Sequence, residues 1–82
     1  MSWNEFKLTM ILSGFIEQKP STFLIFNVFI HPILNTRISI NVNDMESPRA
    51  ICEYFRVNGD YYEGRSLKDA LNYIQTVMDT QL

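Results

Sequence analysis

The sequence predicts an α+β domain with an N-terminal helix, an antiparallel meander sheet of three or four strands, and a C-terminal helix. Three observations indicate this: helical spacing of apolar residues near both ends, strand-like alternation between them, and a turn signal at Asn58-Gly59. Both helices are expected to pack on one face of the sheet. A chain of 82 residues suffices for one domain, residues 1–82, with one modest core.

Composition and charge narrow the functional classes. The chain is 46% hydrophobic and 20% charged, close to the average for globular proteins. Its formal net charge is −2, and seven of its nine acidic residues lie in residues 43–82, where an acidic surface is expected. Nucleic-acid binding is disfavoured, because it requires clustered lysine and arginine to neutralise phosphates.

The cellular location is predicted from what the sequence lacks. Cys52 is the only cysteine and has no partner for an intramolecular disulfide. The first residues do not follow the pattern of a secretory signal, and no apolar run is long enough for a membrane-spanning helix. A cytoplasmic protein, in a bacterial or host cell, is therefore expected.

The first helix is predicted over residues 2–18. Ser2 and Glu5 have the spacing of a capping box, and Pro20 lies just beyond the end. Two apolar faces compete for the core. The predicted core stripe is Leu8, Ile11, Leu12 and Phe15, while Trp3, Phe6 and Met10 lie on nearly the opposite side. Either other parts of the chain cover this second face, or it is an exposed surface for self-association or a partner.

Two strands are predicted next. Residues 22–30 are rich in β-branched and aromatic residues and are apolar on both faces, so this strand is expected to be central, and Pro32 should end it. Residues 36–43 alternate strictly, with Ile38, Ile40 and Val42 on the buried face and polar residues on the other.

The segment from 48 to 57 is ambiguous. Ser47-Pro48 is a good helix start, yet Ile51, Phe55 and Val57 alternate like one face of a strand that leads into the Asn58-Gly59 turn. The strand is preferred, because the turn needs a pairing partner. A helix is then predicted over residues 66–80, with Ser66 as its N-cap. Its inward residues are Leu67, Ala70, Leu71, Ile74, Val77 and Met78.

The sequence contains no strong signature of a catalytic, metal or cofactor site. His31 is the only histidine and Cys52 the only cysteine; the two could form a base and a nucleophile, but the sequence places no nucleophile or orienting group near His31. Asn41, Asn43, Asp44 and Glu46 offer oxygen ligands, but the segment lacks the glycine and glutamate of a calcium-binding loop. No catalytic residue, metal site or cofactor is predicted, and the chain is not expected to be an enzyme.

A partner surface is the preferred hypothesis. The hairpin and its flanks combine surplus aromatic, arginine and acidic residues, a mixture suited to contacting another protein, and the acidic residues favour a partner with a basic surface. The predicted partner-binding residues are Tyr54, Arg56, Asp60, Tyr61, Tyr62, Glu63 and Arg65. By analogy alone, inhibitors encoded by phages or mobile elements have this size and charge. The alternatives are a homodimer or larger homo-oligomer through Trp3, Phe6 and Met10, and a nucleic-acid-binding protein.

Overall fold

The structure is a computed structural model that describes residues 1–18, 27–48, 50–64 and 66–81. Its elements are α1 (Trp3–Leu12), β1 (Ile16–Gln18), β2 (Asn27–His31), β3 (Thr36–Asn43), β4 (Ile51–Val57), β5 (Asp60–Glu63) and α2 (Leu67–Gln81). The strands form one antiparallel meander in the order β1-β2-β3-β4-β5. The predicted α+β class is confirmed, with five strands rather than three or four.

Both helices pack on one face of the sheet, as predicted. The core contains aromatic and aliphatic residues from α1, the inner face of the strands, and α2. Phe29, Ile38 and Ile40 are fully buried at its centre. The opposite face of the sheet is called the outer face below.

The first helix ends earlier than predicted, at Leu12. Gly14 has a φ of +99°, and its N–H donates to the carbonyl of Ile11, while the N–H of Phe15 donates to the carbonyl of Met10. This is a Schellman ending, which places a glycine in the left-handed region just past the helix. The chain then enters β1, so residues 13–18 are not helical. The predicted start is confirmed, since the Glu5 N–H donates to the Ser2 hydroxyl.

The prediction of the core face of α1 was also wrong. Trp3, Phe6 and Met10 are buried, whereas Leu8 and Leu12 are 58% and 79% exposed. The Phe6 ring stacks on Trp3 at 5.5 Å, and both rings meet Phe29 of β2 edge-on at about 6 Å. Because offset and edge-to-face aromatic contacts add to area burial, this side competes better for the core.

The same burial corrects the hypothesis of self-association. Trp3, Phe6 and Met10 lie inside the molecule, so they do not form an exposed contact surface. Phe15 is buried as predicted, but from the segment after the helix.

The central strands follow the sequence pattern. Residues 27–30 of the first predicted strand lie in β2, which runs one residue further to His31, and residues 22–26 lie outside the described residues. β2 is flanked by β1 and β3, and Val28 and Phe29 are buried on opposite faces, as expected of a central strand. β3 has the predicted bounds and buries Ile38, Ile40 and Val42.

The ambiguous segment is a strand, as preferred, but its inner face differs at one end. The pairing with β3 shifts between Asn41 and Val42, so that Glu53 is an extra residue in β4. Such a bulge reverses the alternation of side chains beyond it. Cys52 is therefore buried and Ile51 is exposed, contrary to the strict alternation expected of Ile51 with Phe55.

The hairpin and the last helix are confirmed. Asn58 and Gly59 have φ values of +51° and +92° and connect β4 to β5 through a two-residue turn. This turn requires positive φ at both positions. The Asp69 N–H donates to the Ser66 hydroxyl at 3.2 Å, which caps α2. Leu67, Ala70, Leu71 and Ile74 are buried.

Neither helix in the described part of the chain has the length and apolar character that crossing a membrane requires.

Candidate binding surfaces

The outer face of the sheet brings together two tyrosines and two arginines. Arg56 pairs with Ser39 of β3 on one side and with Tyr61 of β5 on the other. Tyr61 is 56% exposed, and its ring centroid lies 5.5 Å from that of Tyr54. Arg37 lies two residues before Ser39, diagonal to Arg56 and on the same face. We call Arg37, Tyr54, Arg56 and Tyr61 the outer patch.

The charges around the outer patch have both signs. The Arg37 and Arg56 side chains are exposed near the hairpin turn. Glu53 and Glu63 are exposed towards the other end of the hairpin, where the Asn43 amide donates to the Glu53 carboxylate. The outer face therefore has a positive end and a negative end, rather than one dominant charge.

A second candidate is an open cleft between β5 and the first turns of α2, which we call the seam cleft. Its volume is about 420 Å³, and it is lined by Phe55, Tyr62, Glu63, Asp69, Ala70, Asn72, Tyr73 and Thr76. The three aromatic rings contact one another. Phe55 stacks on Tyr62 at 5.3 Å, and Tyr62 meets Tyr73 at 4.5 Å. This volume falls within the usual range of about 300–1,000 Å³ for ligand sites.

The contact with Tyr73 also affects the titration of Tyr62. A side-chain hydrogen bond to Tyr73 raises the pKa of Tyr62 above its ordinary value of 10.0, with a smaller contribution from desolvation. The contact between the Tyr62 and Tyr73 rings joins the edge strand to α2.

The third candidate is the outward side of α1, where Leu8, Ile11 and Leu12 are all at least half exposed. Their spacing places them on one side of the helix over little more than one turn. We call these three residues the α1 stripe. Contiguous apolar side chains on a surface often mark contacts with other proteins.

His31 and Cys52 do not form a catalytic pair. His31 pairs with Thr36 at one end of β3, and Cys52 pairs with Val42 near the other end. At about 3.3 Å per residue, the two positions are roughly 20 Å apart. Both side chains are buried, and the His31 Nδ1 accepts a hydrogen bond from the Leu34 N–H. Each therefore has a structural place in the core.

Metal ligation finds little support in the described residues. No group of three or more His, Cys, Asp or Glu side chains converges there. The loop suggested as a calcium site instead forms a turn, in which the Ser47 N–H donates to the Asp44 carbonyl.

The structure divides the predicted partner residues between two surfaces. Tyr54, Arg56 and Tyr61 belong to the outer patch, and Glu63 lies between this face and the seam cleft. Tyr62 faces α2 and lines the cleft, and Asp60 follows the turn. Arg65 lies outside the described residues.

Arg37 of the outer patch was missed, and so were Asp69 and Tyr73 among the residues of the seam cleft. Arg37 could have been found by pairing β3 with β4, since the register places it diagonal to Arg56 on the same face. To predict that Asp69 and Tyr73 line the cleft, one would need to know the angle at which α2 packs on the sheet, and no sequence pattern specifies that angle.

No protein-family model, curated protein or solved structure matches this chain in the comparisons made with each.

Proposed function

We propose that this chain is a small non-enzymatic protein-binding module, an inhibitor or regulator that works by occupying a surface of another protein. The observation that carries the proposal is the outer patch. Tyrosine and arginine are the residues most enriched, with tryptophan, at the energetic centres of protein interfaces. Here two of each lie together on an exposed sheet face, away from the helices.

The geometry of the outer patch suits a protein partner. The tyrosines present large rings with few rotatable bonds, so ordering them on binding costs little conformational entropy. The Tyr54 and Tyr61 rings already contact each other, which reduces that cost further. The mixture of arginines and glutamates supports a partner that carries both charges.

Affinity capture from the cell that carries the gene tests the proposal. Wild type, Tyr61→Ala and Arg56→Ala would each serve as bait, with Lys68→Ala as the control that removes a positive charge from exposed α2. We expect wild type and the control to recover the same partner. Both patch variants should bind it at least about fivefold more weakly, as for hot-spot residues. Equal recovery by all four baits would place the site elsewhere.

A nucleic-acid function is the second candidate, because arginines beside tyrosines also form platforms for single strands. The acidic net charge of −2 opposes it. Fluorescence polarisation with single-stranded DNA and RNA at low salt should show no binding. A salt-dependent micromolar affinity that Arg56→Ala weakens would favour this function instead.

A homo-oligomer is the third candidate, now through the α1 stripe rather than through Trp3, Phe6 and Met10. Size-exclusion chromatography with light scattering measures it. An oligomer that Leu8→Glu and Leu12→Glu each dissociate would support it, whereas a monomer at tens of micromolar would exclude it.

A further inference from the structure

The seam cleft has the chemistry of a cation site. Phe55, Tyr62 and Tyr73 form an aromatic wall in which each ring lies within 6 Å of the other two. Glu63 and Asp69 also line the cleft, and its described lining includes no lysine, arginine or histidine. Aromatic faces carry negative potential, so the rings and the carboxylates attract the same charge.

We propose that the seam cleft binds an arginine side chain presented by a partner protein. A guanidinium is planar, stacks on tyrosine faces, and donates hydrogen bonds to carboxylates. The cleft offers both features: Tyr73 is 38% exposed, and the Asp69 side chain is exposed on the first turn of α2. An anionic ligand would face two carboxylates without a compensating base among the described lining residues.

The rings are already held in position before any ligand arrives. The Tyr62 ring contacts the ring of Tyr73 and stacks on Phe55, so the wall links β4, β5 and α2. A site built on packed strands and a helix loses little entropy when it binds. This inference goes beyond the proposed function, because the cleft lies beside α2 rather than on the outer patch, and a free peptide can test it.

The test is a titration followed by nuclear magnetic resonance. The probe is a blocked Gly-Gly-Arg-Gly-Gly peptide, compared with the same peptide carrying citrulline, which is neutral but similar in shape. We expect the arginine peptide to shift ring resonances of Tyr62 and Tyr73 saturably, with a dissociation constant in the millimolar range. The citrulline peptide should bind at least about threefold more weakly, since cation–π attraction at exposed sites is modest.

Variants separate the contributions of charge and ring. Asp69→Asn should weaken the arginine peptide about two- to fivefold, the range for an exposed charge pair. Asp79→Asn makes the same change elsewhere on α2, does not line the cleft, and should have no effect. Tyr73→Leu should weaken binding similarly to Asp69→Asn.

The proposal is overturned if the citrulline peptide binds equally well, if Asp79→Asn weakens binding as much as Asp69→Asn, or if the shifts occur away from the cleft. None of these outcomes depends on capturing a natural partner, so the outer-patch proposal can fail or succeed separately.

Discussion

Of the three glycines, Gly64 has the least room for a side chain. A Cβ atom there would overlap the backbone carbonyl oxygens of Cys52 and Glu53 in the neighbouring strand. Backbone atoms of a paired strand cannot move aside cheaply, so β5 must separate from β4 to accept alanine. We expect Gly64→Ala to lower the free energy of unfolding by about 3 kcal/mol or more, at the upper end for single substitutions. Urea denaturation measures this change.

Gly59 provides the matched control. It has a φ of +92°, but a Cβ there meets no atom within 4 Å. Gly59→Ala should therefore cost only the backbone strain of the left-handed region, about 1–2 kcal/mol. Equal losses of unfolding free energy in the two variants would show that the close approach of the Cys52 and Glu53 carbonyls does not exclude a side chain at Gly64.

The two glycines also differ in whether the local sequence predicts the need for glycine. Gly59 follows an asparagine between two strand patterns, so its turn is readable locally. The need for glycine at Gly64 arises from an approach to Glu53, which belongs to another strand, and nothing near Gly64 in the sequence encodes it.

Among the elements, α1 shows how a helix with two apolar sides chooses between them. Met10 is fully buried and Leu12 is 79% exposed, although both are large aliphatic residues in the last turn. We expect Met10→Ala to cost about 2–5 kcal/mol of stability through lost burial and a cavity. Leu12→Ala, its control, should change stability by no more than about 0.5 kcal/mol.

Thermal and urea unfolding, monitored by circular dichroism, would compare these two variants. A large loss of stability from Leu12→Ala with a small loss from Met10→Ala would mean that the Leu8 side of α1 faces the core.

Elements whose patterns allow one solution were predicted well. β3 alternates without exception and α2 has one apolar side, so periodicity predicted their buried residues, the bounds of β3, and those of α2 to within one residue. The buried side of α1 was predicted wrongly because residue spacing identifies two apolar sides without ranking them. The end of α1 was predicted wrongly because the stop signal at Ser13-Gly14 did not enter the prediction. The prediction that Ile51 faces inward was wrong because a bulge reverses the alternation of side chains in β4. That bulge depends on the pairing with β3, which the sequence of β4 does not specify.

The same division applies to the candidate site. Tyr54, Arg56 and Tyr61 could be selected because residues near a hairpin turn are neighbours in sequence and in space. The residues of the seam cleft could not be selected in this way. The cleft forms where α2 packs across β4 and β5, and no local sequence signal specifies this tertiary arrangement.

For the whole molecule, placing both helices on one face has two consequences. It leaves the polar side of β3, β4 and β5 exposed as the outer face. It also creates a boundary where α2 meets the edge of the sheet, and the Tyr62–Tyr73 contact spans that boundary. The first consequence supplies the outer patch, and the second supplies the seam cleft.

That boundary should make the stability of the molecule sensitive to alkaline pH. The hydrogen bond to Tyr73 and desolvation raise the folded-state pKa of Tyr62 above 10.0, so the folded chain holds this proton more tightly than the unfolded chain. The resulting stabilisation is complete below the unfolded pKa, about 10, and is lost as pH rises through the folded pKa.

Melting temperatures measured between neutral and strongly alkaline pH would test this linkage. We expect the wild type to lose more stability above about pH 10 than Tyr62→Phe, which has no phenol proton to lose at this position. If Tyr62→Phe instead follows the wild-type curve, the Tyr62 hydroxyl contributes nothing to joining α2 to the sheet, and packing of Phe55, Tyr62 and Tyr73 alone holds that boundary.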